Sequence, residues 1–416
     1  MEPVVAERPI VPGESRRKRA GRPARQRRDR AVPRPPSENA GGAGVAEGAR
    51  QSPGDGPQNA AQEAGNQPDQ KAHTETGASV AHAAPDPTTR ADRTNDLKQV
   101  AAEPCPACGG LEVTPLLTGT DRLYQTTRER FQIVECCRCR LIRLSPQPPP
   151  SELIKYYPPD YWFAPTGSNV DRLEECYRRI VLTDHVRFVR QALANSSGKG
   201  IVLDVGCGGG LFLHEMAKTG ARVAGLDFSL DAATIAWQSQ GVPAVCATLS
   251  HAPFARGSCS VVTMFHVLEH LYEPQTYLES AYELLEDEGR LVVQVPNAGC
   301  WQFLLLGEKW RGLEIPRHLY AFRQSDLEVL LDRCGFEPVR YKHFSLRDNP
   351  AGLATSLAPW LDPTVRRVRR VAESQQIKLI KDFFYFCLVL LSLPLTLIES
   401  ACRAGFTIMV EARKKK

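Results

Sequence analysis

Ile201-Val202-Leu203-Asp204-Val205-Gly206-Cys207-Gly208-Gly209-Gly210 carries an apolar strand straight into a glycine-rich loop, and Leu211 to Thr219 then reads as a helix. Glycines at the carboxyl end of a first parallel strand let a ligand approach the backbone with no Cβ in the way. A dinucleotide fingerprint, Gly-x-Gly-x-x-Gly, needs a further glycine where Leu211 stands, so that reading fails. The pattern present is Asp-x-Gly-x-Gly-x-Gly, running from Asp204 through Gly206 and Gly208 to Gly210.

Outward from the loop, short apolar runs alternate with amphipathic helices. Ala221 to Leu226 precedes a helix over Asp231 to Gln240; Val242 to Ala247 and Ser260 to Phe265 follow; a helix over Gln275 to Leu285 leads to Arg290 to Val295. A helix over Ser325 to Cys334, a strand over Glu337 to Phe344 and a last strand over Thr407 to Ala412 complete the series. Strands and helices alternating at this spacing predict an α/β fold, a largely parallel sheet covered on both faces. Asp227 closes the second strand, about twenty residues beyond the loop, where a carboxylate can accept hydrogen bonds from ribose hydroxyls.

The glycine loop with its downstream acid resembles motif I of the class I S-adenosylmethionine-dependent methyltransferases. Phe265-His266-Val267-Leu268-Glu269-His270-Leu271 is similar to a segment of the ubiquinone-biosynthesis O-methyltransferase-like branch, as are Gly289 to Asn297 and Pro316-Arg317-His318-Leu319-Tyr320-Ala321-Phe322. The resemblance covers roughly Cys105 to Lys414 and implies a Rossmann-like seven-stranded sheet that binds S-adenosylmethionine. It implies that Asp204, Gly206, Gly208, Gly210 and Asp227 contact that cofactor, that Thr248 and Leu249 lie near its adenine, and that His266 lies beside its sulfonium.

Methyl transfer from a sulfonium is an in-line displacement in which positive charge disappears, so positioning and dehydration dominate. A protic acceptor also needs a base, and His266, His270 and His318 are the candidates because imidazole titrates near neutral pH; each can equally be a structural histidine. Some members of the resembling branch bind a divalent metal at this motif. With His266 where those carry an acid, Mg²⁺ at Glu269 and His270 is the lesser reading. The Asn/Asp-Pro-Pro-aromatic signature of amino-methyltransferases is absent after the fourth strand, which argues against a nucleic-acid base or glutamine amide as acceptor.

Upstream, Cys105-Pro106-Ala107-Cys108 and Cys136-Cys137-Arg138-Cys139 form two C-x-x-C pairs separated by strand-like sequence. Two such knuckles suit a closed four-thiolate zinc site, with Cys137 a spectator; redox dithiols or ordinary cysteines are the competing readings. The arrangement also looks like that of nucleotide-sugar C-methyltransferases. Their Tyr-x-Glu-His stretch is here Ile315-Pro316-Arg317-His318, which keeps only the histidine.

The remaining chain bounds the setting. The protein has 416 residues and 13 cysteines, an odd, scattered set that suits a reducing compartment rather than a disulfide framework. No apolar h-region follows Met1, so a cytoplasmic location is expected. The formal charge of +5 does not by itself demand nucleic acid. Residues 1 to 100 are rich in Pro, Gly, Ala and Arg and are expected to be a disordered arm and linker. Within it, Arg16 to Arg28 resembles an AT-hook, although a solvated basic tail is the better reading.

Expected units are a zinc-ribbon-like knuckle over 104 to 145, a helical cap over 151 to 198, the Rossmann-like domain over 199 to 345, a hydrophobic helical insertion over 346 to 405, and a final strand with basic tail over 406 to 416. Phe383 to Ile398 is uncharged but, at this length and with Pro394 inside, falls short of a bilayer span. It reads either as a helix buried on the domain or as a peripheral contact with the inner face of a membrane, helped by the Val365 to Arg370 basic run. The chain therefore reads as a methyltransferase acting on a small-molecule acceptor, lipid-linked or sugar, with a nucleotide-sugar enzyme as runner-up. A catalytically idle scaffolding or nucleic-acid-binding module is the alternative from another class.

Overall fold

The computed structural model describes residues 104–158, 161 and 169–416. The N-terminal arm and its AT-hook-like run lie outside the described residues.

Three strands, β1 (Val113–Thr120), β2 (Arg130–Cys136) and β3 (Ile142–Ser145), form an antiparallel meander. After α1 (Pro150–Leu153) and the long α2 (Asn169–Ala194), the alternating series begins: β4 (Ile201–Val205), α3 (Leu211–Ala217), β5 (Val223–Asp227), α4 (Leu230–Gln240), β6 (Ala244–Cys246), β7 (Cys259–Phe265), α5 (Pro274–Leu284) and β8 (Leu285–Pro296). Next come α6 (Trp301–Leu306), β9 (Tyr320–Ala321), α7 (Gln324–Arg333), β10 (Phe336–Lys342), α8 (Asn349–Leu357), α9 (Pro363–Val368), α10 (Gln375–Ala401) and β11 (Thr407–Lys414). The main sheet has seven strands in the order β10-β11-β8-β7-β4-β5-β6, with β4 to β8 parallel and β11 antiparallel to both its neighbours. The order reverses beside β4, so β4 and β7 flank the crevice where open α/β sheets bind ligands.

The apolar runs are continuous because the sheet is buried on both faces. Leu203, Val205, Val262, Met264 and Val293 face one core, and their neighbours Val202, Val261 and Val292 face the other. Helix α4 starts where the Ser229 side chain accepts the Ala232 N–H and stops at Gly241, whose φ of 66° is left-handed. Several boundaries shift from expectation, the largest shifts being in β6 and β8. Strand β6 is shorter than Val242 to Ala247, since Pro243 supplies no N–H to the ladder. Strand β8 begins at Leu285 rather than Arg290, α5 passing into it without a loop.

Helix α2 is clamped to β10 through Asp184, which accepts Lys342 Nζ at 2.6 Å and faces His185 Nδ1 at 2.7 Å. Burial pushes the Asp184 carboxyl up, but His185 and Lys342 outweigh it and hold the group at about 2. A pKa lowered by folding stabilises the fold above the unfolded value and ceases to do so as pH falls toward the folded one. Asp184→Asn should therefore cost about 2 kcal/mol at pH 7, and the gap from wild type should close between pH 4 and pH 2. Urea midpoints at several pH values measure it, and a pH-independent gap would refute the assignment.

Helix α10 departs most from the sequence reading. The apolar run extends into polar flanks to make 27 continuous residues, long and apolar enough to cross a membrane, with Pro394 inside. Side-chain hydroxyls take up carbonyls around the proline: Ser392 to Leu388 O, Thr396 to Leu393 O and Ser400 to Thr396 O. Its buried residues are Ser392, Thr396 and Glu399, while Phe383, Phe384, Phe386, Leu391, Leu395 and Ile398 are exposed. Burial of the apolar run in the fold is thus excluded.

The Val365 to Arg370 run is only partly a surface patch. Arg366 is buried against Glu373 and Asp382, and Arg369 donates to the carbonyls of Leu123 and Arg122.

Candidate active site

The loop after β4 takes the turn that only glycines make cheaply: Gly206, Gly208 and Gly210 all have positive φ, at 72°, 52° and 77°. A Cβ on Gly206 would lie 2.7 Å from Val267 and one on Gly210 2.8 Å from Ala236, whereas one on Gly208 would meet nothing within 4 Å. The first and third glycines serve packing, and the second faces open space. Asp227 fastens the loop, Oδ2 accepting the Gly208 N–H and Oδ1 the Ser229 N–H, both at 2.9 Å. Burial holds its carboxyl above the usual range, against the pull of those N–H groups. Asp204, beneath the loop, accepts Thr263 Oγ1 at 2.6 Å and is pushed by burial to about 7.

The end of β6 lies alongside Asp227, since the Ala247 N–H donates to Asp227 O at 3.0 Å. It leads to exposed Thr248, whose hydroxyl is 3.1 Å from His251 Nδ1, and to buried Leu249. Phe228, directly after Asp227, is exposed.

His266 leaves β7 with φ of 57° and so turns back toward the sheet. Its Nδ1 lies 3.1 Å from Glu269 Oε1, and its Nε2 lies 3.1 Å from Gln294 Nε2 and 3.6 Å from Asp348 Oδ2. Burial disfavours the imidazolium, but the Asp348 and Glu269 carboxylates prevail and raise His266 to about 9. His266 is thus a cation held between two acids, poorly suited to take a proton at neutral pH.

His270 and His318 lie edge to face with ring centroids 4.5 Å apart. His270 Nδ1 faces Arg317 O at 3.1 Å and Tyr157 OH at 3.0 Å, and His318 Nδ1 faces Gly312 O at 2.7 Å. Burial, reinforced by His270, drives His318 down to about 4, so its ring is neutral. Beneath it, Arg317 pairs with Asp121 and Glu314 without exposure to solvent.

Sequence reasoning missed Asp348, Gln294 and Tyr157 as partners of these histidines. Gln294 was detectable, a lone amide inside the apolar run Val292-Val293-Gln294-Val295. Asp348 reaches the site from the remote turn before α8 and carries no local signal.

At the other end of the described chain, the knuckles bring four thiols together. Cys105 Sγ and Cys139 Sγ are 3.5 Å apart, Cys108 Sγ and Cys136 Sγ 3.6 Å, and all four lie within 4.8 Å of one another. Cys137 points away to Thr114.

Residues 177–341 match the family described as "Methyltransferase domain". The ubiquinone biosynthesis O-methyltransferase of Pectobacterium carotovorum subsp. carotovorum is 32% identical over 174 residues, 39% of this chain and 72% of that protein. The chain belongs to the class I S-adenosylmethionine-dependent methyltransferases. Its namesake in Psychrobacter arcticus is 31% identical to this methyltransferase over 188 residues, 41% of the chain and 69% of the relative. A solved S-adenosylmethionine-dependent methyltransferase from Archaeoglobus fulgidus covers 59% of the methyltransferase and all of its own length, at 18% identity and a TM-score of 0.37. The seven-stranded sheet and the glycine loop at its switch point are those the family needs. The reading as an idle scaffold gives way to that of a methyltransferase.

Proposed function

We propose that this methyltransferase acts at the inner face of a membrane on a small acceptor carried by a lipid, with α10 lying flat on the bilayer. The observation that supports this is the inverted amphipathicity of α10. In a helix that packs on a water-soluble core, the apolar stripe faces inward; here small polar residues face inward and Phe and Leu face out. Both ends of the helix are tied to the same folded unit. Arg366 holds Asp382 near its start, while Gln302 and Asn349 hold Glu399 and Ser400 near its end. Such a helix lies along the surface rather than crossing it. Leu304 and Leu305 of neighbouring α6 are 82% and 78% exposed and extend the apolar face.

S-adenosylmethionine fits the crevice: the Gly208 position is the space a Cβ would fill, and Asp227 stands at the end of the adjoining strand. Gly206, Gly208 and Gly210 would line its amino-acid part, Asp204 would support that loop from below, and Asp227 would face the ribose. Thr248 and Leu249 would flank adenine, and His266 would adjoin the sulfonium. Bound there, the cofactor supplies an electrophilic methyl group. The protein's share is to position the acceptor and exclude water. With His266 held as a cation, His270 and His318, whose rings lie edge to face, are the imidazoles left to manage the proton of an acceptor hydroxyl.

Vesicle flotation of the full chain tests the membrane reading. Wild type should float with phospholipid vesicles, and Leu391→Glu with Leu395→Glu should remain in solution with unchanged affinity for S-adenosylhomocysteine. In the same vesicles, a hydroxylated aromatic bearing an isoprenoid tail should be methylated at least tenfold faster than its tail-less analogue. Failure to float, together with equal turnover of a soluble nucleotide-sugar, would replace this reading with the runner-up.

The cysteine cluster is assigned to structural Zn²⁺. A tetrahedral ion with Zn–S bonds of about 2.3 Å sets sulfurs about 3.8 Å apart, close to the separations seen. Cys105, Cys108, Cys136 and Cys139 would fill every position, leaving none for catalysis. A mercurial reagent should release a single zinc ion from these thiols, and Cys108→Ser with Cys139→Ser should abolish that release. Amide exchange in β1 should quicken as the ion leaves, because that strand is mostly exposed and carries little apolar core of its own.

A further inference from the structure

Arg311 opens the 3₁₀ turn Arg311–Leu313, where its backbone N–H donates to Ser356 Oγ at 2.9 Å. Its guanidinium lies deep in the fold yet is not sealed from solvent, and it makes no hydrogen bond or ion pair with any of the described residues. Burial disfavours its charge, and Glu314 and Asp362 outweigh that burial, but neither acid pairs with it. Glu314 Oε1 is taken by Arg317 Nε and Tyr161 OH, and Asp362 accepts the Thr355 hydroxyl and the Thr364 N–H at the start of α9. Tyr124, close enough to act on the same guanidinium, is 8% exposed, and its hydroxyl has no partner among the described residues either. A guanidinium only donates, so N–H groups left without acceptors at such depth call for a ligand that brings them.

On one side of Arg311 stands α10. Its Tyr385 also acts on the guanidinium and lies 3.0 Å from Thr355 Oγ1 of α8, while Phe383, Phe384 and Phe386 around it face out. On the other side a row of tyrosines leads to the histidine pair. The rings of Tyr124 and Tyr161 meet edge to face at 5.7 Å and those of Tyr161 and Tyr157 at 5.0 Å, and Tyr157 OH lies 3.0 Å from His270 Nδ1. Arg311 and Tyr124 thus stand between the helix proposed to meet the bilayer and the imidazoles proposed to face the acceptor.

We infer that Arg311 and Tyr124 bind a phosphate group that joins the methyl acceptor to its lipid. A neutral carbonyl would leave the guanidinium charge uncompensated, whereas an oxyanion engages its planar fork through two parallel hydrogen bonds. Among oxyanions, a carboxylate ends a chain; a phosphate diester or a diphosphate is bonded on and still keeps a negative charge, as a linker at this position must. Burial holds Tyr124 as a phenol, so its hydroxyl donates to a further phosphate oxygen. The lipid linkage rests on the proposed function; the anion site itself does not. The acceptor class narrows from lipid-linked molecules in general to those carried on a lipid phosphate.

The test is calorimetric titration of the full chain with farnesyl diphosphate, farnesol and inorganic pyrophosphate. Farnesyl diphosphate should bind to one class of site, at least about tenfold more tightly than farnesol or pyrophosphate. Arg311→Gln should weaken it by about 10- to 100-fold, the range of a charge-assisted hydrogen-bonded pair, and Tyr124→Phe by about 3- to 10-fold. Neither change should alter farnesol binding or circular dichroism. Should Arg311→Gln fold poorly, Arg311→Lys, which keeps the charge but loses the fork, must still bind the diphosphate less tightly than wild type. The proposal is overturned if farnesol binds as tightly as the diphosphate, or if folded Arg311→Gln keeps wild-type affinity. It is overturned as well if pyrophosphate matches farnesyl diphosphate, which would make the ligand a free or nucleotide-borne phosphate. Vesicle flotation separates this result from the proposed function. A chain that binds farnesyl diphosphate through Arg311 but does not float would sink the membrane reading and uphold this site; one that floats without preferring the diphosphate would sink this site alone.

Discussion

Gly208→Arg should abolish binding of S-adenosylhomocysteine, measured by calorimetric titration, while lowering the melting temperature only slightly. The three positive-φ glycines of the loop are unequal. Gly206 and Gly210 are packed against Val267 and Ala236, so side chains there would damage the fold itself. Gly208 has no neighbour within 4 Å of its missing Cβ, so a side chain there intrudes only on the ligand's space. The φ of 52° adds about 1 to 2 kcal/mol of strain for any other residue, a modest loss of stability. Gly208→Ala separates the effects: it carries the strain but little bulk, and should weaken binding far less. Asp227→Ala works from the other side of the loop, freeing the Gly208 and Ser229 N–H groups and removing the ribose-facing carboxylate. An affinity loss of at least 100-fold, about 2.7 kcal/mol, is expected. If Gly208→Arg bound as well as wild type, the loop would not be the cofactor cradle.

The sheet could be read from the sequence because burial on both faces writes a strand as an uninterrupted apolar run, as in Ile201–Val205 and Cys259–Phe265. The glycine loop and the cysteine knuckles were legible because their chemistry depends on local spacing. What was hidden depends on partners distant in the chain. Asp348 becomes a partner of His266 only when the turn before α8 packs against the end of β7. Arg366 looks like one more charge in a basic run, yet it is buried because Glu373 and Asp382 meet it. In α10 the composition suits a buried helix and a membrane contact equally, and only the packing of Glu399 on Gln302 and of Tyr385 on Thr355 shows which face points inward.

Arg317→Met should cost 3 to 5 kcal/mol at pH 7, read from urea unfolding, although the replacement fills similar space. Arg317 is wholly buried; it grips both oxygens of Asp121 at 2.8 and 3.2 Å, donates to Glu314 at 3.2 Å and to Tyr156 O at 3.0 Å, and lies over the Tyr124 ring. A buried pair contributes little beyond an apolar substitute, but removing one member strands the other's charge. Here two carboxylates would be stranded. Burial raises the Glu314 pKa, yet nearby His318, Arg317 and Arg311 hold it at about 2. In the variant that pKa must rise toward or beyond the usual carboxylate value. The deficit should thus be complete at neutral pH and shrink as pH falls from about 4.5 toward 2, where the wild-type carboxylate protonates as well. Asp121→Asn with Glu314→Gln in the Arg317→Met background should recover most of the loss, since no unpaired charge then remains. Should Arg317→Met alone be as stable as wild type, the cluster would not be structural. A stable triple variant with impaired turnover would instead show that Arg317 acts by positioning the adjoining His318, whose backbone it shares.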